Sequence, residues 1–305
     1  MNSAERHWYG LFLSLLTALM WGTLPIALQL LMQSLDVNTI TWARFVFSAA
    51  FVWIVLQRRG ELPRLRSFDR RTLLLTSVAI VALMANFLLY LVGLDHLNPE
   101  ASGIIIQLAP FLLMAGSVLF YGERMTPLDV IGAVVLFGGL LLFFNERLVL
   151  LFGGLSDYTF GVVAMLSAAL TWSIYGLMQK TLLRKMSSMQ LTLLIYTGGG
   201  VLLLFFSAPL SIAALGWLPL VVLLYGCMNM VLGYGAFTEA MRVWQAAKVS
   251  AVIALAPVVT IVCMPLAVWL WPNYYSSSEL NLWSYSGAVL VVAGSMLSAL
   301  GKRRA

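Results

Sequence analysis

Asn86 and Tyr90 stand four residues apart in an apolar run, and Ser167, Thr171, Tyr175 and Gln179 continue the same interval along another. A four-residue interval places side chains on one face of an α-helix. Each set is therefore a polar stripe on an apolar helix, able to hydrogen-bond a solute in passage or a neighbouring helix. Gln107 lies one turn before Pro110, and Asn229 and Tyr234 sit inside a further apolar run. Trp21 and Trp172 fall near the centres of long apolar runs, too deep for an interfacial aromatic belt. The expectation is that several of these residues line one cavity. For any single one the alternative is helix–helix hydrogen bonding, which is common in bundles.

Charges inside apolar runs are few. Arg44 lies about one turn into its run, from the non-cytoplasmic side. Its fork of donors can grip a carboxylate, or the side chain can snorkel to an interface or pair with Asp95 or Glu100; the structural role is the favoured expectation. Glu239 stands three residues before Arg242, which reads as a helix-surface pair, with a gate or proton site as the sharper alternative. No carboxylate falls at the middle of a run. That disfavours a buried-carboxylate proton antiport and favours a neutral or zwitterionic ligand, or facilitated diffusion. Catalysis has little to work with. The chain has no His-Glu-x-x-His, no Gly-x-Ser-x-Gly and no phosphate-binding Gly-x4-Gly-Lys-[Ser/Thr], and its histidines, His7 and His96, stand near run ends. An enzyme would need clustered acid, base or metal ligands. No metal, cofactor or enzymatic activity is expected.

The elements that must carry these residues follow from composition. The 305 residues are 61% hydrophobic and 10% charged, with a mean hydropathy of +0.94. A soluble domain carries about 25% charged residues, so a polytopic all-α membrane protein is the class that fits. The expected spans are 8–32, 40–56, 72–94, 101–120, 127–144, 160–180, 190–208, 217–240, 249–271 and 283–300, about ten in all. Cys227 and Cys263 fall within them, so neither points to an exposed disulfide. Thr126-Pro127-Leu128-Asp129 carries an N-cap, a proline at the first helical position and an acid near the positive end of the dipole. The pI near 9.5 reflects topology rather than nucleic-acid binding. With the N-terminus in the cytoplasm, all 18 lysines and arginines fall on the cytoplasmic side except Arg147, on the far side, and Arg44, within a span. That is the positive-inside pattern, and it puts both termini in the cytoplasm.

The chain also repeats itself. Leu108-Ala109-Pro110 returns as Leu255-Ala256-Pro257, and the helix segment with Gly132 and Gly139 returns as one with Gly287 and Gly294. Ala18-Leu19-x-Trp21 returns as Ala169-Leu170-x-Trp172. Residues 1–150 and 151–305 thus read as two copies of one five-span unit. An odd number of spans inverts the second copy, the arrangement from which many carriers build two alternative states around a midplane site. Pro110 and Pro257 each remove a helix hydrogen bond and make a candidate hinge pair, with a static kink as the alternative. The glycines, seven apart, read as close-packing scaffold.

At Arg44-Phe45-Val46-Phe47-Ser48-Ala49-Ala50, at Pro99-Glu100-Ala101 through Pro110, and at Gly122-Glu123-Arg124 followed by Gly132-Ala133, the chain resembles the EamA-type ten-span members of the drug/metabolite transporter superfamily. The first copy matches closely and the second more loosely, and Pro272 to Asn281 replaces the Gly-Glu turn there. The resemblance implies a bacterial inner-membrane carrier of small organic solutes, often an exporter of amino acids or related metabolites, without ATP. The expected partners are a small-molecule substrate and the lipid bilayer. A chain holding both halves is expected to function as a monomer. The alternatives are a flippase of a lipid-linked substrate or a non-transporting membrane subunit.

Overall fold

The computed structural model describes residues 3–63, 68–122, 124–147, 156–276 and 280–300, and among them every regular element is helical. In chain order these are α1 (Ser3–Met32), α2 (Val37–Arg59), α3 (Arg70–His96), α4 (Pro99–Ile105), α5 (Ala109–Tyr121) and α6 (Pro127–Phe143). After a gap come α7 (Asp157–Leu182), α8 (Ser188–Leu204), α9 (Trp217–Val243), α10 (Ala246–Ile253), α11 (Ala256–Leu270) and α12 (Leu282–Leu300). Among the described residues, eight helical segments are long and apolar enough to cross a membrane, α4–α5 and α10–α11 each counting as one. The remaining apolar helices, α6 and α8, have 17 residues each.

Local chemistry sets most helix ends. Asp36, Asn98 and Ser156 each accept a backbone N–H of the first turn that follows. Thr126 and Asp129 form a reciprocal capping box with Pro127 at the start of α6, as their types and spacing require. Ser187 and Gln190 make a second box at α8. Gly60 and Gly122 end α2 and α5 in the left-handed region, at φ 69° and 67°, where a Cβ would be strained. Glu123 of the Gly-Glu-Arg turn lies outside the described residues, as do Arg64, Arg66 and the basic residues 302–304.

The fourth and ninth expected spans are each broken. Between α4 and α5 the chain tightens into a 3-10 turn at Ile106–Leu108, so that Pro110 falls in the first turn of α5. In the matching place α10 ends at Ile253 and Pro257 falls in the first turn of α11. Proline there costs little because its missing N–H would have no helical partner. Pro25 and Pro265, by contrast, sit inside α1 and α11.

The helices pack as antiparallel pairs. Along α1 and α9, Trp244 lies against Gly10, Gly233 against Trp21 and Tyr225 against Thr23. Gly161 of α7 meets His96 and Leu97 at the end of α3, while Ala168 meets Asn86 further back. Gly199 of α8 receives the Phe45 ring of α2. Gly132 faces Gly294 and Gly139 faces Gly287 across α6 and α12. The outside is apolar: Leu119, Phe205, Trp217, Trp269 and Leu282 are all largely exposed. Trp217, Trp269 and Trp283 gather at the ends of α9, α11 and α12, where amphipathic rings favour a membrane–water boundary.

Candidate functional site

The centre of the bundle is built around one arginine. Arg44 lies seven residues into α2, about 10 Å along the helix at 1.5 Å per residue, and it is 2% exposed. Its Nε–H donates to the Gly226 carbonyl of α9 at 3.3 Å. Its guanidinium carbon stands 5.0 Å from the centre of the Phe87 ring of α3. Among the described residues it has no ion pair. The expectation that Arg44 snorkels to the interface or pairs with Asp95 or Glu100 is therefore corrected: the side chain turns inward, held by a carbonyl and stacked on a ring.

Aromatic hydroxyls surround it. The phenols of Tyr90 on α3, Tyr196 on α8 and Tyr234 on α9, and the Cys227 thiol, lie within electrostatic reach of the guanidinium. Tyr175 of α7 lies in similar reach of Tyr196 and Tyr234. Trp21 of α1 packs on Tyr234 and Phe237, with ring centres 5.1 and 5.6 Å apart. Trp172, one turn before Tyr175, packs against two apolar clusters of the core. Trp21, Tyr90, Trp172, Tyr175 and Tyr234 all stay half-buried although they face other helices. Five of the residues singled out by type and spacing thus converge. Tyr196 and Phe87 join them unannounced, although Tyr196 carried a usable signal as a phenol inside an apolar run.

Other polar residues hold helices together. Asn86 Nδ2 donates to Ala168 O at 2.8 Å, linking α3 to α7. Asn229 Nδ2 donates to Met20 O at 2.6 Å and to the Tyr225 hydroxyl at 3.2 Å, linking α9 to α1. The bonds to Ala168 O and Met20 O each join a helix of residues 1–150 to a helix of residues 151–305. The Thr171 hydroxyl bonds back to Ser167 O and Ala168 O on its own helix. Gln179 is half-buried three residues from the end of α7, so its stripe leads from the centre towards one face. Gln107 ties the two helix breaks together, its Nε2 donating to Ala254 O at 3.0 Å.

Glu239 is not at the centre. It forms the expected helix-surface pair with Arg242, at 2.6 Å and 2.8 Å. Arg242 also lines a cleft of about 740 Å³ with Arg6, His7, Trp244, Gln245 and Lys248. Among the described residues no group of histidine, cysteine, aspartate and glutamate could hold a metal.

The EamA-like transporter family model matches residues 8–145 and again 159–300. The chain is 41% identical to the uncharacterized inner membrane transporter YhbE of Escherichia coli K12 over 295 residues, 96% of this chain and 92% of that one. It is 35% identical to an uncharacterized transporter of Haemophilus influenzae over 294 residues, 96% and 95% of the two chains. A protein of known crystal structure shares the fold, with a TM-score of 0.62 at 19% identity over 99% of this chain and 100% of the other. With the family model covering nearly its whole length and such relatives beside it, the chain belongs to the EamA-like transporter family of the drug/metabolite transporter superfamily.

Proposed function

We propose that this member of the family is a secondary exporter of small organic solutes, such as amino acids or related metabolites, working by alternating access around the Arg44 centre. The observation that carries the proposal is the ring of half-buried tyrosine and tryptophan side chains contributed by α1, α3, α7 and α9. Half-buried rings at the heart of a bundle are what a solute path requires, because it must offer polar and apolar partners while staying open.

The proposed mechanism rests on two inverted halves, residues 1–150 and 151–305. Support comes from the double family match and from the antiparallel pairing of α2 with α8 and of α6 with α12. The matching breaks before Pro110 and Pro257 are proposed as the hinges at which half-helices tilt. The reading counts ten spans, since at 1.5 Å per residue a 17-residue helix is about 25 Å long, near the thickness of the hydrocarbon core. The charge asymmetry supports both termini lying in the cytoplasm, and the similarity to the inner membrane transporter YhbE favours an inner membrane. Because the pseudo-symmetric partner lies within the chain, the working unit is a monomer.

One observation favours a second reading, a flippase of a lipid-linked substrate. An apolar groove of about 230 Å³ opens sideways between α2 and α8, lined by Trp42, Val46, Ala49, Tyr196 and Gly200. Tyr196 also faces Arg44, so the groove leads from the flank of the protein towards the centre.

The test is efflux from proteoliposomes preloaded with labelled amino acids, with wild type set against Trp172→Ala and Tyr175→Ala. Selective release by wild type, slowed at least tenfold in either folded variant, is expected. No release in any gradient would overturn the solute reading and move the test to lipid-linked substrates.

A further inference from the structure

We infer that Arg44 is the anion site of this carrier, and that its substrate bears a single carboxylate received by the terminal nitrogens of that guanidinium. The inference rests on the carrier reading above and deepens it by naming the substrate chemistry.

A guanidinium has five N–H donors and cannot shed its charge. Arg44 uses one of them, on the Gly226 carbonyl. Among the described residues the remaining four, all on the terminal nitrogens, meet no acceptor, and no carboxylate neutralises the charge. An isolated charge inside a bundle is expensive unless it is paired. The Phe87 ring offsets part of that cost, but a ring face supplies no acceptor for the fork. The two terminal nitrogens present parallel donors, the arrangement that a carboxylate fits in bidentate fashion.

The surroundings narrow the ligand. Among the described residues, the titratable groups within electrostatic reach of Arg44 are neutral phenols and a thiol, so one positive charge awaits one negative charge. A phosphate dianion would call for a second cation, and among the described residues no lysine or second arginine stands within electrostatic reach of Arg44. The phenols of Tyr90, Tyr196 and Tyr234 can donate to a carboxylate oxygen. The Trp21 and Tyr234 rings, in contact with each other, give an apolar or cationic remainder of the solute a face to lie on. A purely cationic solute would be repelled by Arg44, which among the described residues has no carboxylate partner.

The experiment uses purified full-length protein in nanodiscs and matched pairs of probes: phenylacetate with phenylacetamide, and L-phenylalanine with L-phenylalaninamide. Binding is read as a shift in thermal unfolding over a range of probe concentrations, for wild type, Arg44→Gln and Arg44→Lys. The expected result is stabilisation by an acid and not by its amide. Arg44→Gln should weaken that binding by about thirtyfold or more, as for a buried ion pair deprived of one partner, with Arg44→Lys in between. Amides that match their acids, no acid that binds, or a folded Arg44→Gln that binds the acid like wild type would each overturn the inference. If Arg44→Gln fails to fold, the acid–amide comparison on wild type decides alone. Flux separates this inference from the carrier reading. Equal transport of uncharged or cationic solutes by wild type and Arg44→Gln would remove the anion site and leave the carrier standing. Acid-selective binding without flux of any solute would do the reverse.

Discussion

The contact between α6 and α12 and the centre around Arg44 use the same helical geometry to opposite ends. Across α6 and α12 four glycines remove the side chains from the contact, and the backbones close. A Cβ at Gly139 would lie 2.6 Å from Val291 N, and one at Gly294 would lie 2.6 Å from Gly132 O. Around Arg44 the helices carry large aromatic groups, several of them half-buried, and the guanidinium is left with donors to spare. One region has no room to move and the other has chemistry left unfinished. In the proposed alternating-access cycle, the first is the scaffold against which the second can rearrange.

The sharpest way to break this contrast is to put a methyl group where the backbones meet. Gly139→Ala should destabilise the folded protein by about 1–3 kcal/mol, the usual range for overpacking, because neither facing backbone can yield cheaply. Gly138→Ala, one residue along, meets nothing within 4 Å and should be neutral. Thermal unfolding in detergent compares the pair directly. Equal behaviour of the two variants would mean that the close contact does not govern stability.

Asn86 and Asn229 differ from both regions, each spending an amide N–H on a carbonyl of another helix. Asn86→Leu and Asn229→Leu should each cost about 0.6 kcal/mol and at most about 1.7 kcal/mol, the measured average and maximum for hydrogen bonds between membrane helices. Loss of transport without loss of stability in either variant would move that asparagine into the solute path. Gln107→Leu should cost about 1 kcal/mol by freeing Ala254 O, and it should change the rate of transport more than the apparent affinity. Pro110→Ala and Pro257→Ala sharpen the same point. If the breaks are hinges, continuous helices slow the cycle while probe binding persists, whereas wild-type rates in both variants would make the breaks static.

Much of the scaffold was legible in the residues and little of the centre was. The Thr126–Asp129 box, the glycine spacing and the paired Leu-Ala-Pro segments are local signals, and local signals survive in one dimension. The break at Ile106–Leu108 was legible as a proline but not as a 3-10 turn, and Pro25 and Pro265 show that proline alone does not break a helix. Arg44 was misjudged because its partners are remote: Gly226 is 182 residues away, and Phe87 belongs to another helix. Tyr196 was missed although Ser188 and Thr192 precede it at four-residue intervals on α8, the same polar-stripe signal that marked α7. The convergence of α3, α8 and α9 on the one guanidinium of α2 is a property of packing, which periodicity along any one helix does not contain.

The smallest expected effect lies at a third place, where the two halves of the chain meet in water. Lys185 Nζ stands 2.8 Å from Asp69 Oδ1 and donates to Thr72 Oγ1 at 2.7 Å, and the Thr72 hydroxyl also reaches Asp69. Hydrogen bonds from Lys185 and Thr72 to the Asp69 carboxylate lower its pKa to about 2, from an ordinary value near 4. A carboxylate whose pKa falls on folding adds stability that is fully present above about pH 4 and is lost as the pH drops towards 2. Both side chains are about half exposed, so solvent and salt screen the pair and the effect on stability is slight. Asp69→Asn should lower the unfolding temperature by a small margin at pH 6 and low salt. The margin should shrink as the pH falls through 4 towards 2, and at neutral pH it should shrink as salt is added. If this contact instead clamps one face of the carrier shut, Asp69→Asn would speed transport at pH 6 while its stability stayed within that same small margin. A change in flux larger than the change in stability would then separate a gate from an ordinary surface pair.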